Sequence, residues 1–369
     1  MTAAAEQSDA NGVFNPMGTD GFEFVEYAHS DPETLGALFE RMGFTAVAKH
    51  RTKNVTLYRQ NDINFILNGE PDSQAEAFHK EHGPSANAMA FRVKDVNKAL
   101  AWAKEQGAEV IEGTKVGPME LCIPAIKGIG DSYLYLVDRY APHDSIYSVD
   151  FKPIEGAPQN PTGVGLEYID HLTHNVFRGN MDKWAGFYER IFNFREIRYF
   201  DIEGKLTGLK SRAMTSPCGK IRIPINESAD DKSQIEEYLR EYKGEGIQHI
   251  ALSTGNIYET VEELRTRGVD FMDTPDTYYE KVDERMPGHG EDLARMQKNR
   301  ILIDGAPGAR EGDPDSGILL QIFTNTVIGP IFYEIIQRKG NEGFGEGNFQ
   351  ALFDSIEEDQ VRRGVISAE

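Results

Sequence analysis

The chain has 369 residues and a formal net charge of −21, with 39% hydrophobic and 27% charged residues. This length allows two domains with substantial cores, and the charge argues against nucleic acid or an anionic membrane as partner, because no basic tract offsets it. The only cysteines, Cys122 and Cys218, lie in different halves of the chain. A disulfide framework is therefore not expected, no apolar run is long enough to span a bilayer, and a cytoplasmic protein is predicted.

The chain in order begins with residues 1–20, which lack the basic start and apolar core of a signal peptide and are predicted to be a flexible arm. GFEFVEYAHS, starting at Gly21, is predicted to be a strand, and DPETLGALFERMGF an N-capped amphipathic helix. Short strands follow, and a second strand–helix–strands unit begins at SANAMAFRVKD. Residues 149–164 are rich in Pro and Gly and are predicted to be a linker, which makes 21–148 the first domain.

The same order of segments returns after the linker. GLEYIDHLTHNV is similar to GFEFVEYAHS, and GIQHIALSTGNIYETVEELRTRGVDFM aligns without a gap with SANAMAFRVKDVNKALAWAKEQGAEVI. IFYEIIQR aligns with SYLYLVDR. This repetition predicts a tandem duplication of α+β class, with a second domain at 165–369.

Three aligned positions carry potential metal ligands in the second half only: His171 aligns with Tyr27, His249 with Ala88 and Glu334 with Tyr135. The scaffold therefore does not need these side chains in order to fold. Two histidines and one carboxylate on neighbouring strands can occupy one face of an octahedral divalent metal, which predicts a metal site.

The strand alternation supports that site but leaves alternatives. Period-two alternation places Glu334 in the middle of an apolar strand, where an ionised carboxylate is costly without a cation or a metal. Taken alone, Glu334 could instead lie on the solvent side of a half-exposed strand. Alternation also places Asp170 and His174 on the face opposite His171, and we expect His174 to be structural.

The second half contains, in order, the motifs IDHLTHNV, IPINES, KSQIEEYL, GEGIQHIAL, GILLQIFT, IFYEIIQRKG and GFGEGNFQALFDSIEEDQ. With these motifs the chain resembles the 4-hydroxyphenylpyruvate dioxygenases. The resemblance implies a tandem vicinal-oxygen-chelate fold, in which paired βαβββ modules form two open-barrel domains. It further implies one Fe(II) per subunit, held by His171, His249 and Glu334, in a homo-oligomer, either a dimer or a tetramer. The implied reaction is 4-hydroxyphenylpyruvate plus O₂ giving homogentisate plus CO₂ in tyrosine catabolism.

The resemblance also implies residues around the substrate. Gln321 and Phe323 would lie beside the iron and the substrate, and Phe332, on the face of Glu334, would line the same cavity. Gln321 and Phe332 are the implied catalytic residues. The remaining implied substrate residues are Ser211, Asn226 and Gln234 at the phenol end, the less direct Gln248, and Phe344, Asn348 and Phe349 in a lid whose helix covers about 345–364. Core packing is the alternative for Phe332, a strand-end turn for Asn226, and a plain packing helix for the tail.

Three other functions remain open at this stage. Hydroxymandelate synthase uses the same substrate, metal and fold but hydroxylates the benzylic carbon. A non-catalytic small-molecule-binding protein on this scaffold would not need the ligand triad. An extradiol ring-cleaving dioxygenase would need an acid–base His or Tyr near the iron.

Overall fold

The computed structural model describes residues 12–111, 119–203, 208–231, 233–309, 317–348 and 351. The strands are β1 (Thr19–Ala28), β2 (Thr45–His50), β3 (Val55–Gln60), β4 (Ile63–Asn68), β5 (Ser85–Val93), β6 (Ala125–Lys127), β7 (Tyr133–Val137), β8 (Tyr140–Ala141), β9 (Asp144–Ser145), β10 (Phe151–Pro153), β11 (Leu166–Val176), β12 (Arg195–Glu203), β13 (Gly208–Thr215), β14 (Arg222–Ser228), β15 (Gly246–Thr254), β16 (Leu302–Asp304), β17 (Ile318–Phe323) and β18 (Phe332–Lys339). The helices are α1 (Pro32–Arg41), α2 (Gln74–His82), α3 (Val96–Glu105), α4 (Ile146–Asp150), α5 (Met181–Phe192), α6 (Gln234–Tyr242), α7 (Ile257–Thr266), α8 (Asp276–Glu280), α9 (Val282–Arg285) and α10 (Leu293–Asn299).

Two eight-stranded sheets share one topology over seven strands, and each has one additional edge strand, β10 in the first and β16 in the second. The first has the order β10-β2-β3-β4-β1-β5-β7-β6, and the second has the order β12-β13-β14-β11-β15-β18-β17-β16. In each sheet the same two neighbouring pairs are parallel, β1 with β4 and β5 with β7 in the first, and β11 with β14 and β15 with β18 in the second. The predicted duplication and the α+β, tandem vicinal-oxygen-chelate architecture are confirmed.

The helices cover one face of each sheet and leave the other face to line the barrel. In α1 the Asp31 carboxylate caps the helix by accepting the backbone N–H groups of Glu33 and Thr34. The apolar residues of the helix then fall on one side, and the buried ones are Leu35, Leu38 and Phe39. In the second domain α5 buries Trp184, Tyr188 and Ile191 in the same way.

The central strands of the two sheets share a β-bulge. The pairing register shifts between Phe22 and Phe24 in β1, and between Ile169 and His171 in β11. A bulge inserts one residue and resets which side chains face inward. Because Phe24 pairs with Ala90 as His171 pairs with Ala251, Phe24 is the structural counterpart of His171.

The prediction that Tyr27 is the counterpart of His171 is therefore wrong. Tyr27 pairs with Ala86 as His174 pairs with Ile247, so Tyr27 corresponds to His174. Its side chain lies in the main hydrophobic core and not in the barrel. The two segments resemble each other most when Gly21 is aligned with Gly165, and the three-residue offset appears only in the strand register.

The other two counterparts are confirmed by register. The corresponding pairs are Ala88–Tyr133 and Ala90–Tyr135 in the first sheet, and His249–Phe332 and Ala251–Glu334 in the second. Ala88 thus takes the place of His249, and Tyr135 takes the place of Glu334.

The described part of the predicted N-terminal arm is ordered against the body of the protein. Asn15 and Met17 are buried, and the Asn15 side chain accepts the backbone N–H of Thr19. Phe14 packs edge-on against Trp102, with ring centroids 5.7 Å apart. The expectation of a flexible arm is therefore wrong from residue 12 onward, because apolar side chains anchor this stretch.

The predicted linker at 149–164 begins with regular structure. Phe151–Pro153 forms β10 and pairs with β2 at the edge of the first sheet. Further along, the Gln60 side-chain oxygen accepts the backbone N–H groups of Val164 and Leu166 and ties this segment to the first domain. The domain boundaries themselves stay a prediction. No helix within the described ranges is long and apolar enough to cross a membrane.

Candidate metal centre

Three neighbouring strands bring the predicted ligands together. β11, β15 and β18 lie side by side in the second sheet, and Ala251 pairs with His171 on one side and with Glu334 on the other. The small, fully buried Ala251 leaves room for both side chains above it. His249 lies two residues earlier on the same face of β15, and one ligand atom from each of the three residues lies within 4.8 Å of the others.

The distances within the cluster suit a metal ion. Nε2 of His171 lies 3.2 Å from Oε2 of Glu334, and Nε2 of His249 lies 3.4 Å from the same oxygen. Ligands that are each about 2.1 Å from an octahedral ion, and adjacent on it, lie about 3 Å apart. The other oxygen of Glu334, Oε1, is buried and has no hydrogen-bond partner among the described residues. These donors therefore fit a six-coordinate divalent metal with open positions.

Neighbouring side chains fix the orientation of both imidazoles. Nδ1 of His171 lies 2.8 Å from Oδ1 of Asp170, and Nδ1 of His249 lies 3.0 Å from Oε1 of Gln248. If each Nδ1–H donates to its oxygen, each Nε2 lone pair is left for a metal. The structure thus places Gln248 behind a ligand rather than in the substrate cavity. Thr173, which the sequence analysis did not single out, places its hydroxyl oxygen 3.0 Å from Nε2 of His249.

Asp170 and Arg338 form a buried ion pair beside the cluster. The Arg338 guanidinium donates to both oxygens of Asp170, at 2.7 and 2.8 Å. Strict alternation predicted Asp170 on the face opposite His171, and that prediction is wrong because the bulge interrupts the alternation at this point. Arg338 could have been identified from the sequence, since it lies four residues after Glu334 on the same strand face.

The charges in the cluster shift the pKa values of its members. Burial alone raises the pKa of the Glu334 carboxyl, but the two histidines outweigh it and the pKa is lowered. Burial lowers the pKa of His249, while for His171 the carboxylates of Glu334 and Asp170 outweigh burial and raise the pKa. Arg338 overcomes the effect of burial on Asp170 and holds its pKa far below the usual range. The site therefore keeps two ionised carboxylates in a buried setting.

A small cavity adjoins the cluster. Its volume is about 40 Å³ and its walls include four of the predicted substrate residues, Ser211, Asn226, Phe323 and Phe344. Ser211 and Asn226 are register partners on β13 and β14. Phe200, Leu209 and Glu346 also line the cavity and were not predicted.

Aromatic rings surround the histidines. Phe332 stacks on His249 with ring centroids 5.0 Å apart, and Phe323 meets the same ring edge-on at 6.3 Å. Phe344 packs edge-on against His171 at 5.2 Å. Phe332 therefore contacts a ligand ring directly, which goes beyond the core-packing alternative, although it does not line the cavity itself.

The structure does not bring every predicted residue to the cavity. Gln234 is exposed at the first turn of α6, on the side away from the buried face of that helix. Asn348 is buried outside the cavity, where its Oδ1 accepts the hydroxyl of Tyr278 at 2.6 Å. Phe349 and most of the predicted lid helix at 345–364 lie outside the described residues.

Gln321 packs against the segment that carries Phe344. Gln321 is buried on the same strand face as Phe323, and a Cβ at Gly345 would collide with its side-chain amide. Gly345 has a φ of +79°, which favours glycine. This backbone turn places the Phe344 ring in the cavity. A volume of about 40 Å³ is too small for an aromatic 2-oxo acid, so an organic substrate requires side chains of the cavity wall to move.

Comparison with known proteins agrees with the fold. Residues 13–152 match the family model described as hydroxyphenylpyruvate dioxygenase, HPPD, N-terminal, and residues 168–283 match the glyoxalase/bleomycin resistance protein/dioxygenase superfamily. The chain is 67% identical over 355 residues to a 4-hydroxyphenylpyruvate dioxygenase of Pseudomonas aeruginosa, covering 95% of this chain and 97% of the relative. It is also 67% identical over 360 residues to a Vibrio vulnificus protein named hemolysin VllY, covering 96% and 99% of the two chains. The solved structure of a 4-hydroxymandelate synthase variant from Streptomyces coelicolor superimposes with a TM-score of 0.78 at 25% identity, covering 93% of this chain and all of the other.

The duplicated barrels and the His–His–Glu cluster define a metal-dependent dioxygenase of the glyoxalase/bleomycin resistance protein/dioxygenase superfamily. Identity of 54–67% to several curated members, over almost their whole length, narrows this class further. The chain belongs to the 4-hydroxyphenylpyruvate dioxygenase family.

Proposed function

We propose that the protein is an Fe(II)-dependent dioxygenase that converts 4-hydroxyphenylpyruvate and O₂ to homogentisate and CO₂ in tyrosine catabolism. The observation that carries the proposal is the convergence of His171, His249 and Glu334 on one point, with both Nε2 atoms close to the same carboxylate oxygen. One Fe(II) per subunit, a cytoplasmic location and a dimeric or tetrameric assembly are parts of the same proposal.

Ferrous ion held by these three residues would supply chelation of the 2-oxo acid and activation of O₂ at the open positions. The donor set of two imidazoles and one carboxylate is the set that suits this ion. Asp170 and Gln248 hold the two imidazoles with Nε2 directed inward, so the ligands need little reorganisation when the ion binds.

The chain's own residues position the substrate. Ser211 and Asn226 provide hydroxyl and amide groups on the cavity wall, where they can hydrogen-bond to the phenol of the substrate. Phe323 and Phe344 provide apolar faces for the aromatic ring. Phe344 lines the cavity directly beside His171, a position that supports exclusion of water from the metal.

Hydroxymandelate synthase is the second candidate, because a variant of that enzyme shares the fold over its full length. The 67% identity to a 4-hydroxyphenylpyruvate dioxygenase and the Asn226 side chain in the cavity favour homogentisate as the product.

Product analysis tests the proposal directly. The purified chain, loaded with Fe(II) in the presence of ascorbate, is given 4-hydroxyphenylpyruvate and O₂, and the products are separated by chromatography. We expect homogentisate and CO₂ in equal amounts, and nearly complete loss of both in Glu334→Gln. Glu155→Gln, which changes an exposed glutamate in the same way, is the matched control and should remain fully active. Hydroxymandelate as the main product, or wild-type activity in Glu334→Gln, would contradict the proposal.

A further inference from the structure

The barrel of the first domain contains a partly open cavity of about 610 Å³, which lies within the usual size range of small-molecule sites. Register places it where the second domain has its metal centre. Its walls include the side chains of Phe24, Glu26, Ile66, Asn68, Tyr133 and Tyr135. Phe24 and Tyr135 stand at the positions of His171 and Glu334, so this cavity lacks the metal ligands but keeps the space around them.

A buried carboxyl group lies inside this cavity. The Glu26 side chain is 7% exposed, and its Oε1 accepts the amide N–H groups of Asn68 at 3.0 Å and Asn87 at 2.7 Å. Both bonds are made to Oε1, and neither occupies Oε2. A carboxyl group inside a barrel is costly for the fold, yet two amides hold this one in a fixed orientation. Burial raises the pKa of Glu26, with the two amides acting against that effect.

Aromatic side chains surround Glu26, and the ionisable side chains that line the cavity are mostly acidic. Phe24 lies 5.7 Å from Tyr135, and Tyr133 lies 6.1 Å from Tyr135, measured between ring centroids. Among the described residues, the acidic groups that line the cavity are Glu26, Glu70, Asp72 and Asp150, and the basic ones are His50 and Lys53, of which Lys53 is paired with Glu120 at 2.9 Å. An anionic 2-oxo acid is disfavoured here, because the described part of the walls carries no metal ligand set and more acidic than basic side chains.

We propose that the first barrel is a second binding site, which takes a small aromatic ammonium compound of the arylalkylamine class. Its ring packs among Phe24, Tyr133 and Tyr135, and its ammonium group donates a hydrogen bond to Glu26. Aromatic faces attract a cation through their quadrupole, and a charge-assisted hydrogen bond to a carboxylate adds to that attraction. The two barrels of one chain thus select opposite charges on similar rings.

Calorimetric titration of the full-length, Fe(II)-loaded protein with 2-phenylethylamine under anaerobic conditions tests this inference. We expect one bound amine per chain, and little binding of 3-phenylpropionate, which carries the same ring on a similar chain with the opposite charge. Glu26→Gln removes the carboxylate but keeps its size, and should weaken amine binding by about tenfold or more. Tyr135→Leu, which changes the wall and not the charge, should weaken it as well. Retained homogentisate formation in both variants shows that the chain has folded.

The same titration separates this site from the metal centre. Glu334→Gln should leave amine binding unchanged, and saturating 4-hydroxyphenylpyruvate should not displace the amine. Absence of binding up to about 10 mM amine would overturn the inference. It would also be overturned by equal affinity in Glu26→Gln, or by displacement with 4-hydroxyphenylpyruvate, which would assign the amine to the second barrel.

Discussion

Tyr333 donates a hydrogen bond from its hydroxyl to the hydroxyl of Tyr27, across 2.9 Å, and so joins the two domains. Tyr333 directly precedes Glu334 in β18, and Tyr27 directly follows Glu26 in β1. Burial raises the pKa of both phenols well above its usual value, so the pair is neutral. The two strands that carry the interior carboxyl groups are therefore in contact through their outward-facing neighbours.

Removing both hydroxyls of this pair should lower the free energy of unfolding by less than the sum of the two single removals. Tyr333→Phe leaves the Tyr27 hydroxyl buried without its partner, which should lower the free energy of unfolding by about 1–3 kcal/mol. In the double variant Tyr27→Phe/Tyr333→Phe no buried hydroxyl remains unpaired. A double-mutant cycle by chemical denaturation measures the coupling, and strictly additive effects would show that the hydrogen bond contributes nothing.

Asp170→Asn should weaken metal binding without removing a ligand. The carboxylate holds Nδ1 of His171 and also pairs with Arg338, so its loss frees the imidazole to turn and leaves a buried guanidinium without its counter-charge. Affinity for Fe(II), measured by competition with a chelator, should fall by about tenfold to a hundredfold. Glu155→Gln serves as the exposed control, and unchanged affinity in Asp170→Asn would remove Asp170 from the support of His171.

Asn226→Ile should disturb the substrate and spare the metal. Asn226 lines the cavity from β14, a strand that carries none of the three ligands, and its amide is expected to hold the phenol end. Loss of that hydrogen bond should lower kcat/KM by about tenfold to a hundredfold. The iron content should remain at one per chain, which serves as the internal control. An unchanged KM and product ratio would show that the phenol is held elsewhere.

Phe344→Ala should uncouple oxygen consumption from product formation. The Phe344 ring lines the cavity against His171. Its removal admits water and takes away one of the apolar faces on which the substrate ring is expected to pack. Homogentisate formed per O₂ consumed should fall clearly below one, as measured with an oxygen electrode and product chromatography. A ratio that stays at one would mean that closure does not depend on this side chain.

His174 should make folding sensitive to mild acid. It is fully buried with Nε2 2.7 Å from the Tyr188 hydroxyl, and burial lowers its pKa to about 3. Its folded pKa lies below the unfolded value of about 6.5, so the folded protein binds fewer protons and loses stability as the pH falls through 6.5. His174→Gln removes this contribution to the pH dependence of stability.

Between about pH 7 and about pH 5 the variant should therefore lose about 2 kcal/mol less stability than the parent chain. Denaturation midpoints at the two pH values measure the difference. Parallel pH dependences in the two proteins would mean that His174 is already protonated in the folded state.

The sequence predicted most of the architecture because the hydrophobic periodicity is regular and repeated. Alternation correctly placed Glu334 inside the barrel with Phe332, and placed Tyr333 on the opposite face. The comparison between the halves identified the ligand triad. The first half folds without two histidines and a glutamate at these positions, so the second half does not need them for folding. The helices α2, α4, α6 and α8–α10 were not predicted. α2 and α6 occupy equivalent places, before β5 and β15, but their sequences are not among the segments recognised as repeated, and the other four helices are short.

The remaining errors arise where the backbone departs from its local period. The bulge before His171 cannot be read from alternation, and it displaced Asp170. The predicted equivalence of His171 with Tyr27 failed separately, because the likeness of the two segments hides a three-residue offset. Gln234 was assigned to the cavity through a motif, but at the start of α6 the helical period directs it to solvent. Neither position is set by residue type alone.

The bulge that β1 shares with β11 also defines what the first barrel lacks. The bulge in the backbone directs the side chain of residue 24 toward the barrel interior, and this direction does not depend on the residue type at that position. Phe24→His, Ala88→His and Tyr135→Glu would install a complete donor set on an unaltered frame. At the ligand positions the two barrels thus differ in these three side chains, and whether a barrel carries the donor set is decided by substitution rather than by folding.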